Sequence, residues 1–377
     1  MKYFRSRFKS SLEILETYNY PEPFHIHIKN HFSGHKKYGS KDRKAIADIC
    51  YTYLRTGLLF KNESIATGLL KSSLLLEWEW TSDLKKVAEG QGVNLNLEID
   101  QLNENISLKH FASYTDSEEG LVFYPSEYLM ESFSHYNDIQ NIRYRPRNWA
   151  KDHANQVQGK LGLSGAKEIL VTDKLQNTVQ VQDLSSQFIC NEIQLNEGDV
   201  VWDLCCGSAG KTLNLSSKER CDFHMSDVRP GILENAKSRM KLMHYDASYG
   251  VNDLQKDLER LNFENKTVEK RTMDVIVADV PCSGSGTWFR TPEHFARFDY
   301  SSLDNYATRQ KKIVENAIPF LKAGGSFYYI TCSIFKEENT EVRDWILAIS
   351  DLKLVREIEF DGMSHQSDGM YMAEFSS

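Results

Sequence analysis

The sequence predicts an α/β protein whose C-terminal half is a doubly wound parallel sheet, preceded by a helical domain and a small α+β module. From about residue 186 onward, short apolar strands alternate with helical stretches, which is the pattern of a parallel sheet with helices on both faces. The first third instead has apolar residues at helical spacing, and the stretch between has short alternating runs. We therefore divide the 377 residues into domains 1–125, 126–185 and 186–377.

The N-terminal domain is predicted to be helical. The run Lys44–Arg55 places apolar residues on one helical face, and Ser40 and Asp42 precede it as possible caps. A second helical run covers about Glu63–Trp80. The pattern therefore indicates at least two amphipathic helices in this domain.

The middle module is predicted from a change of periodicity. Its short runs alternate β-branched or aromatic residues with polar ones, which is typical of half-buried strands. These runs are 141–145, 168–172 and 178–182.

The C-terminal domain contains four clear strand candidates. They are 200–204, 223–226, 275–278 and 326–331, with helices predicted at 231–242 and 303–321. In doubly wound sheets the ligand crevice lies beyond the carboxyl ends of the strands. We therefore expect the chemistry in the residues that directly follow each strand.

Composition indicates a soluble cytoplasmic protein without a membrane partner. Apolar residues make up 41% and charged residues 26%, which is ordinary for a globular chain. No run approaches the ~18 apolar residues of a membrane span, and the N-terminus lacks the apolar stretch of a secretory signal. The seven cysteines include no pair at CxxC spacing, so we expect reduced thiols and no metal site.

Charge is unevenly distributed along the chain. The net charge is −8, yet residues 1–60 carry eleven basic side chains against five acidic ones. Residues 141–160 carry five against one. Local basic patches can meet a phosphate backbone, so the net charge does not exclude a nucleic-acid partner. Ordinary solvated surface charge explains each patch equally well.

The segment Asp203–Thr212 follows the first strand and opens a helix. Its small residues Gly207, Ala209 and Gly210 let the backbone approach a ligand closely. Asp227 ends the second strand, where a carboxylate suits the two hydroxyls of a ribose. Together they predict a nucleoside cofactor site.

A phosphate-binding loop is the alternative interpretation of this segment. Gly207–Thr212 is close to a P-loop, and Val275–Asp279 could serve as the second NTPase motif. The P-loop pattern, however, requires a glycine where Cys205 stands. It also gives no role to the cysteines after the later strands, so we keep the NTPase as the less favoured alternative.

Two cysteines follow two predicted strands. Cys282 lies just after the strand 275–278, close behind Asp279, and Cys332 lies at the end of the strand 326–331, so both thiols should face one crevice. An isolated cysteine is usually buried filler, but two at strand ends favour chemistry. A thiolate that adds to carbon 6 of a pyrimidine activates carbon 5 toward a sulfonium methyl, and a second group then assists elimination. Asp279 can hydrogen-bond the base.

These motifs resemble the RsmB/NOP/Sun family of RNA cytosine-5 methyltransferases over nearly the whole chain. The family patterns are D-x-C-A-A-P-G-G-K-T, D-A-P-C-S-G-x-G with a following Arg and Pro-Glu, T-C-S with following acidic residues and Asn, and a closing D-G-F-F-x-A. In the same order, these patterns are similar to four segments of this chain. The first is Asp203–Thr212, and the second is Asp279–Gly286 with Arg290, Pro292 and Glu293. The third is Thr331–Ser333 with Glu337, Glu338 and Asn339, and the fourth is Asp368–Ala373.

The resemblance implies the fold, cofactor and partner. It implies a Rossmann-like, class I S-adenosylmethionine methyltransferase domain, an N-terminal NusB-like RNA-binding helical domain and an RRM-like α+β module. It further implies that the chain makes 5-methylcytosine in RNA with S-adenosyl-L-methionine as cofactor. We expect ribosomal RNA as the partner and a monomer.

The resemblance also implies residue roles. Cys332 would be the nucleophile, Cys282 would release the product, and Asp279 completes the catalytic set. RNA contacts are expected from Arg145, Arg147 and Arg290. The cofactor site is assigned to Asp203, Cys205, Cys206, Gly207, Ser208, Ala209, Gly210, Lys211, Asp227, Asp253 and Asp279.

Two points of the cofactor site stay open. Asp253 is our choice for the acid near the adenine, and Asp257 is the alternative. The segment Cys206–Ala209 replaces A-A-P-G of the family, and the loss of proline frees the turn. An RNA-binding ribosome assembly factor without turnover is therefore a second hypothesis, although both thiols and Asp279 are retained.

Overall fold

A computed structural model describes residues 3–19, 22–35, 37–56, 63–75, 86–87, 130, 149–152, 167–168, 179–295 and 297–377. The chain forms two compact units. The helical unit comprises Met1–Tyr144 and Trp288–Phe298, and the sheet unit comprises Arg145–Thr287 and Asp299–Ser377. The division into three domains stays a prediction. Helices and strands are numbered below in chain order.

The helical unit packs its helices around a core of aromatic and aliphatic side chains. Phe8, Ile14, Phe24 and Ile49 are buried there, as the helical spacing of apolar residues requires. The segment Trp288–Phe298 contributes a further short helix, α8. The helices are α1 (Phe4–Glu16), α2 (Phe24–Gly34), α3 (Ser40–Thr56), α4 (Ile65–Leu75) and α8 (Pro292–Phe295).

Both helices predicted for this region are confirmed within the described residues. Helix α3 contains Lys44–Arg55 and begins at Ser40. Asp42, expected as a cap, lies in its first turn and accepts a 2.7 Å hydrogen bond from Arg7 Nη2. Helix α4 lies within Glu63–Trp80, of which residues 76–80 are outside the described part.

A small antiparallel sheet precedes the main one. Its order is β2-β1-β3, formed by β1 (Trp149–Asp152), β2 (Lys167–Glu168) and β3 (Val179–Val181). Strands β2 and β3 overlap the runs predicted at 168–172 and 178–182. The run predicted at 141–145 lies outside the described residues.

The main sheet has seven strands in the order β11-β12-β10-β9-β4-β5-β6. The strands β6, β5, β4, β9 and β10 are parallel, whereas β12 pairs antiparallel with both β10 and β11. They are β4 (Val200–Asp203), β5 (Asp222–Ser226), β6 (Ser248–Gly250), β9 (Met273–Asp279), β10 (Leu321–Thr331), β11 (Lys353–Phe360) and β12 (Met370–Ser376).

The predicted parallel sheet is confirmed for its four predicted strands, and the structure adds β6, β11 and β12. Strands β11 and β12 pair antiparallel with each other because the connection between Phe360 and Met370 is too short for the helical crossover that parallel pairing needs. A hairpin of β7 (Leu261–Phe263) and β8 (Lys266–Val268) is inserted before β9.

Five helices accompany the main sheet. The predicted helix 231–242 is confirmed as α7, whereas the one predicted to reach 321 ends at Ala317. A 3-10 turn follows at Ile318–Phe320, because Pro319 cannot donate the next helical hydrogen bond. They are α5 (Leu184–Glu192), α6 (Gly210–Ser216), α7 (Pro230–Leu242), α9 (Leu303–Ala317) and α10 (Thr340–Ile349).

The strand order reverses between β4 and β9. From β4 the chain proceeds outward to β5 and β6, and β9 and β10 then fill the other side. Such a reversal opens a crevice at the carboxyl ends of the strands. Among the described residues, no helix combines the length and apolar character needed to cross a membrane.

Candidate functional site

A cavity of about 460 Å³ lies at the carboxyl edge of the main sheet. This volume falls within the range of roughly 300–1,000 Å³ usual for small-molecule sites. Six residues singled out from the sequence line it: Cys205, Asp227, Asp253, Asp279, Cys282 and Cys332. The residues following β4, β5, β9 and β10 therefore converge as the parallel topology requires.

The two cysteines face each other in this cavity. Cys282 follows β9 and Cys332 follows the neighbouring parallel strand β10, and their Sγ atoms are 3.3 Å apart. Both are free thiols. The hydrogen bond with Cys332 and then burial raise the pKa of Cys282 well above its ordinary value. Cys282 is therefore held as a neutral thiol beside its partner.

A buried carboxylate joins the two cysteine loops. Glu338 accepts hydrogen bonds from Ser283 N at 2.8 Å, Ser283 Oγ at 2.5 Å, Ser333 Oγ at 2.6 Å and Gln310 Nε2 at 2.9 Å. The side chain is fully buried, and burial raises its pKa. Ser283 and Ser333 each follow a cysteine directly, so this acceptor fixes both thiols relative to one another.

Glycine is required where the loops meet. Gly286 N donates to the carbonyl of Cys332 at 2.9 Å, and Gly369 N donates to the carbonyl of Gly286 at 2.9 Å. A Cβ on Gly286 would lie 2.2 Å from Gly369 O and 3.0 Å from Cys332 O. The close approach of these three backbone segments leaves no room for a side chain.

Asp279 carries its charge within an ion pair. Lys211 Nζ, from the first turn of α6, lies 2.5 Å from Asp279 Oδ2. Burial opposes the lysine charge, but the carboxylate of Asp279 overcomes this and raises the pKa of Lys211 above its ordinary value. The lysine that a P-loop would direct at phosphates here faces a carboxylate.

The loop after β4 is tightly wound. Gly207 and Ala209 have positive φ angles of 52° and 67°, and Ala209 N donates to the carbonyl of Cys206 at 2.9 Å. Arg239 Nη1 donates to Ser208 Oγ at 3.0 Å. Seven residues assigned to the cofactor form this loop and its surroundings but do not line the cavity: Asp203, Cys206, Gly207, Ser208, Ala209, Gly210 and Lys211.

Asp203 supports the loop from behind. One of its carboxylate oxygens accepts a 2.5 Å hydrogen bond from Thr212 Oγ1, and the other is buried without a partner among the described residues. Burial raises the pKa of Asp203 to about 7. Its position suits holding α6 against β4.

The carboxylate expected at the ribose ends β5. Asp227 accepts from Gly207 N at 3.2 Å and from the backbone, Nε and Nη2 of Arg229 at 2.9 Å each. Although burial acts in the opposite direction, the Arg229 hydrogen bonds lower the pKa of Asp227. The Arg229 side chain is 63% exposed, and its guanidinium covers the oxygens that ribose hydroxyls would use.

The third acidic position is distinguished by its placement. Asp253 lines the cavity and pairs with Lys256 at 3.1 Å. Asp257 is 88% exposed, pairs with Lys312 at 2.7 Å and is not part of the lining. Asp253 thus lies in the cavity and Asp257 does not, and the assignment of Asp253 to the adenine stays a prediction.

The remaining lining was not identified from the sequence. Apolar walls come from Val228, Leu254 and Ile313, and a cation comes from Arg309. Val228 directly follows Asp227, so the expectation that site residues follow the strands could have identified it. Arg309 lies inside α9, and no local motif marks it. Carboxylates at both ends and apolar walls between them fit the ribose and adenine of S-adenosylmethionine.

The expected RNA contacts are placed only in part. Arg290 is exposed and belongs to the helical unit. Arg145 and Arg147 lie outside the described residues. Within the described part of the chain, no group of three His, Cys, Asp or Glu side chains is arranged to hold a metal ion.

Comparison with known sequences gives one consistent family. Residues 191–375 match the model described as 16S rRNA methyltransferase RsmB/F. Ribosomal RNA small subunit methyltransferase B of Cronobacter sakazakii is 29% identical over 182 residues, which cover 48% of this chain and 41% of that protein. The corresponding protein of an Enterobacter species is 30% identical over 168 residues, covering 44% and 37%. The chain thus spans about two fifths of the length of these relatives.

Solved structures share the fold. The crystal structure of PH0851 matches with a TM-score of 0.69 and 17% identity, covering 98% of both chains. A methyltransferase homolog protein from Pyrococcus horikoshii matches with a TM-score of 0.53 and 14% identity over 74% of this chain and 98% of that chain. The chain therefore shares its fold with these two solved structures over most of its length.

Proposed function

Because residues 191–375 match the family model described as 16S rRNA methyltransferase RsmB/F, we propose that this chain methylates carbon 5 of a cytosine in RNA. The observation that carries the proposal is the 3.3 Å separation of the Cys282 and Cys332 sulfur atoms in a cavity suited to a nucleoside cofactor. Two thiols in contact suit covalent activation of a pyrimidine.

Cys332 supplies the nucleophile. Its thiolate adds to carbon 6 of the cytosine, and the electron pair displaced from the 5,6 double bond makes carbon 5 nucleophilic. S-adenosylmethionine, when bound, supplies an electrophilic methyl group. When a base from the solvent takes the proton from carbon 5, the electron pair of that C–H bond re-forms the 5,6 double bond and Cys332 leaves carbon 6 as a thiolate. The neutral thiol of Cys282, 3.3 Å from that sulfur, assists this expulsion by donating a hydrogen bond to it.

Asp279 orients the base. Asp279 is the last residue of β9, lines the cavity and is charge-balanced by Lys211 at 2.5 Å. It can accept from the exocyclic amino group of cytosine, which carries two donors. The target base must leave its stack to reach this position, at a cost of a few kcal/mol that is smallest in single-stranded RNA.

The proposed substrate is small-subunit ribosomal RNA, by analogy with the names of the relatives. Arg145, Arg147 and Arg290 are the proposed RNA contacts, and a soluble cytoplasmic monomer is the proposed form. The proposed cofactor contacts are Cys205, Asp227, Asp253 and Asp279 in the cavity, with Asp203 and residues 206–211 beside it.

Transfer of tritiated methyl groups tests this function. RNA from cells lacking the protein is incubated with purified enzyme and methyl-labelled S-adenosylmethionine, and nucleosides are separated. We expect label in 5-methylcytosine with the wild type and none with Cys332→Ala. Cys221→Ala is the matched control, because Cys221 is a free cysteine outside the cavity.

The same experiment separates the alternatives. An assembly factor would bind RNA but leave no label in any nucleoside. Label in another nucleoside, or full activity of Cys332→Ala, would contradict the proposed reaction.

A further inference from the structure

One cationic side chain that lines the cavity has no carboxylate as an ion-pair partner among the described residues. Each lining carboxylate already has a cationic partner: Asp227 with Arg229, Asp253 with Lys256 and Asp279 with Lys211. Arg309 lines the same cavity, and it has no ion pair or side-chain hydrogen bond within the described part of the chain. Its Nε atom is inaccessible to solvent and lacks an acceptor there. A guanidinium that lines a cavity and keeps one buried donor unpaired suits an anionic group of a bound ligand.

The position of Arg309 is fixed by its neighbours. Arg309 and Ile313 lie one turn apart on α9, and both face the cavity. The next residue, Gln310, is fully buried and donates to Pro281 O at 3.1 Å and to Glu338 at 2.9 Å. This turn of α9 is therefore held against the loop that carries Cys282.

We propose that Arg309 binds an RNA phosphate adjacent to the target cytosine, an inference that rests on the proposed function. The planar guanidinium matches phosphate oxygens in a two-pronged geometry. The carboxylate of the cofactor is the other available anion, but negative groups of ligands in such crevices lie at the turn after the first strand. Arg309 instead lies on the helix that follows Cys282 in the chain.

Binding of a short single-stranded oligoribonucleotide tests the assignment. The probe carries one cytosine and a fluorescent label, and binding is measured in a Cys332→Ala background, so that no covalent step contributes. We expect Arg309→Gln to weaken binding about tenfold, as for loss of one charge-assisted hydrogen bond. Lys312→Gln is the control, because it removes the same charge from the same helix outside the cavity.

A second probe locates the contact. Replacing the phosphates flanking the cytosine with neutral methylphosphonates should weaken binding to the parent protein. The same replacement should weaken binding to the Arg309→Gln variant little further, because both changes remove the same interaction. Arg309→Lys keeps the positive charge but loses the two-pronged geometry of the guanidinium, and we expect this variant to bind the oligoribonucleotide with intermediate affinity. Thermal unfolding confirms that each variant is folded.

Several outcomes would overturn the assignment. Full additivity of the two changes would place the contact elsewhere. Unchanged RNA binding combined with weaker binding of S-adenosylmethionine in calorimetry would give Arg309 to the cofactor. Failure of the wild type to methylate RNA would reject the proposed function alone, since the binding measurement needs no turnover.

Discussion

Residue 209 has a backbone conformation that alanine disfavours. Ala209 precedes α6 with φ 67° and ψ 22°, the left-handed region, and it is fully buried. This conformation costs a residue with a Cβ roughly 1–2 kcal/mol. The pattern that this segment resembles has glycine at this position, which enters the left-handed region without that cost.

Ala209→Gly should therefore stabilise the protein by about 1 kcal/mol, because glycine enters this region freely. The midpoint of urea unfolding, followed by circular dichroism, should rise. Ala236→Gly, the same change inside helix α7, is the control and should lower it. A lower midpoint for Ala209→Gly would show that the methyl group contributes more than the strain removes.

Asp203 makes stability depend on pH. Its pKa is raised to about 7 by burial, above the value near 3.9 of an unfolded chain. Between these values the folded protein holds a proton that the unfolded chain has released, so this group's contribution to the free energy of unfolding falls as pH rises from about 4 to about 7.

Asp203→Asn should remove that decline. The difference in unfolding free energy between variant and wild type should rise across this pH window by up to roughly 4 kcal/mol, and level off above it. Urea titrations at a series of pH values measure it, with the exposed Asp351→Asn as control. A difference that stays constant with pH would contradict the burial argument.

At the scale of elements, strand ends decide how much of the site could be predicted from sequence. Cys282 and Cys332 lie fifty positions apart, yet parallel neighbouring strands bring residues at their carboxyl ends together, so their convergence followed from the pattern. Glu338 was noted only as part of a motif. Its role depends on how α10 and α9 pack behind the strands, which periodicity does not specify.

Other parts of the site were inaccessible to sequence reasoning for similar reasons. Arg309 lies on a helical face that resembles any amphipathic surface until the neighbouring strand is placed. The antiparallel strands β11 and β12 were missed, although their short connection excludes a parallel crossover. Seven of the residues assigned to the cofactor form the loop after β4 and its surroundings without lining the cavity. A position just after a strand does not show which side chains line the cavity and which support it.

The contact of three loops at Gly286 predicts a severe local substitution. Gly286→Ala would place a methyl group 2.2 Å from Gly369 O. Backbone must then shift, at a cost of about 1–3 kcal/mol, and the Cys332 loop moves with it. We expect a lower melting temperature and strongly reduced methylation. Gly231→Ala adds the same methyl group in open space and should leave both nearly unchanged.

The whole chain combines a fold shared with solved structures and a pair of facing cysteines at the sheet edge. Ligand linkage then distinguishes the two nucleoside-based hypotheses. At a hundredfold excess over its dissociation constant, S-adenosylmethionine should stabilise the protein by about 2.7 kcal/mol. ATP with magnesium should not, because Lys211 is paired with Asp279. Scanning calorimetry with each ligand measures the shift, and stabilisation by ATP alone would favour the NTPase.

The central claim is that two sulfur atoms act on one pyrimidine in different roles. The most direct measurement is denaturing electrophoresis of Cys282→Ala incubated with labelled RNA and S-adenosylmethionine. We predict a stable protein–RNA adduct, because Cys332 can attack but its release is impaired, and no adduct with the Cys282→Ala/Cys332→Ala double variant. An adduct formed by Cys332→Ala instead, or normal turnover of Cys282→Ala, would contradict the account.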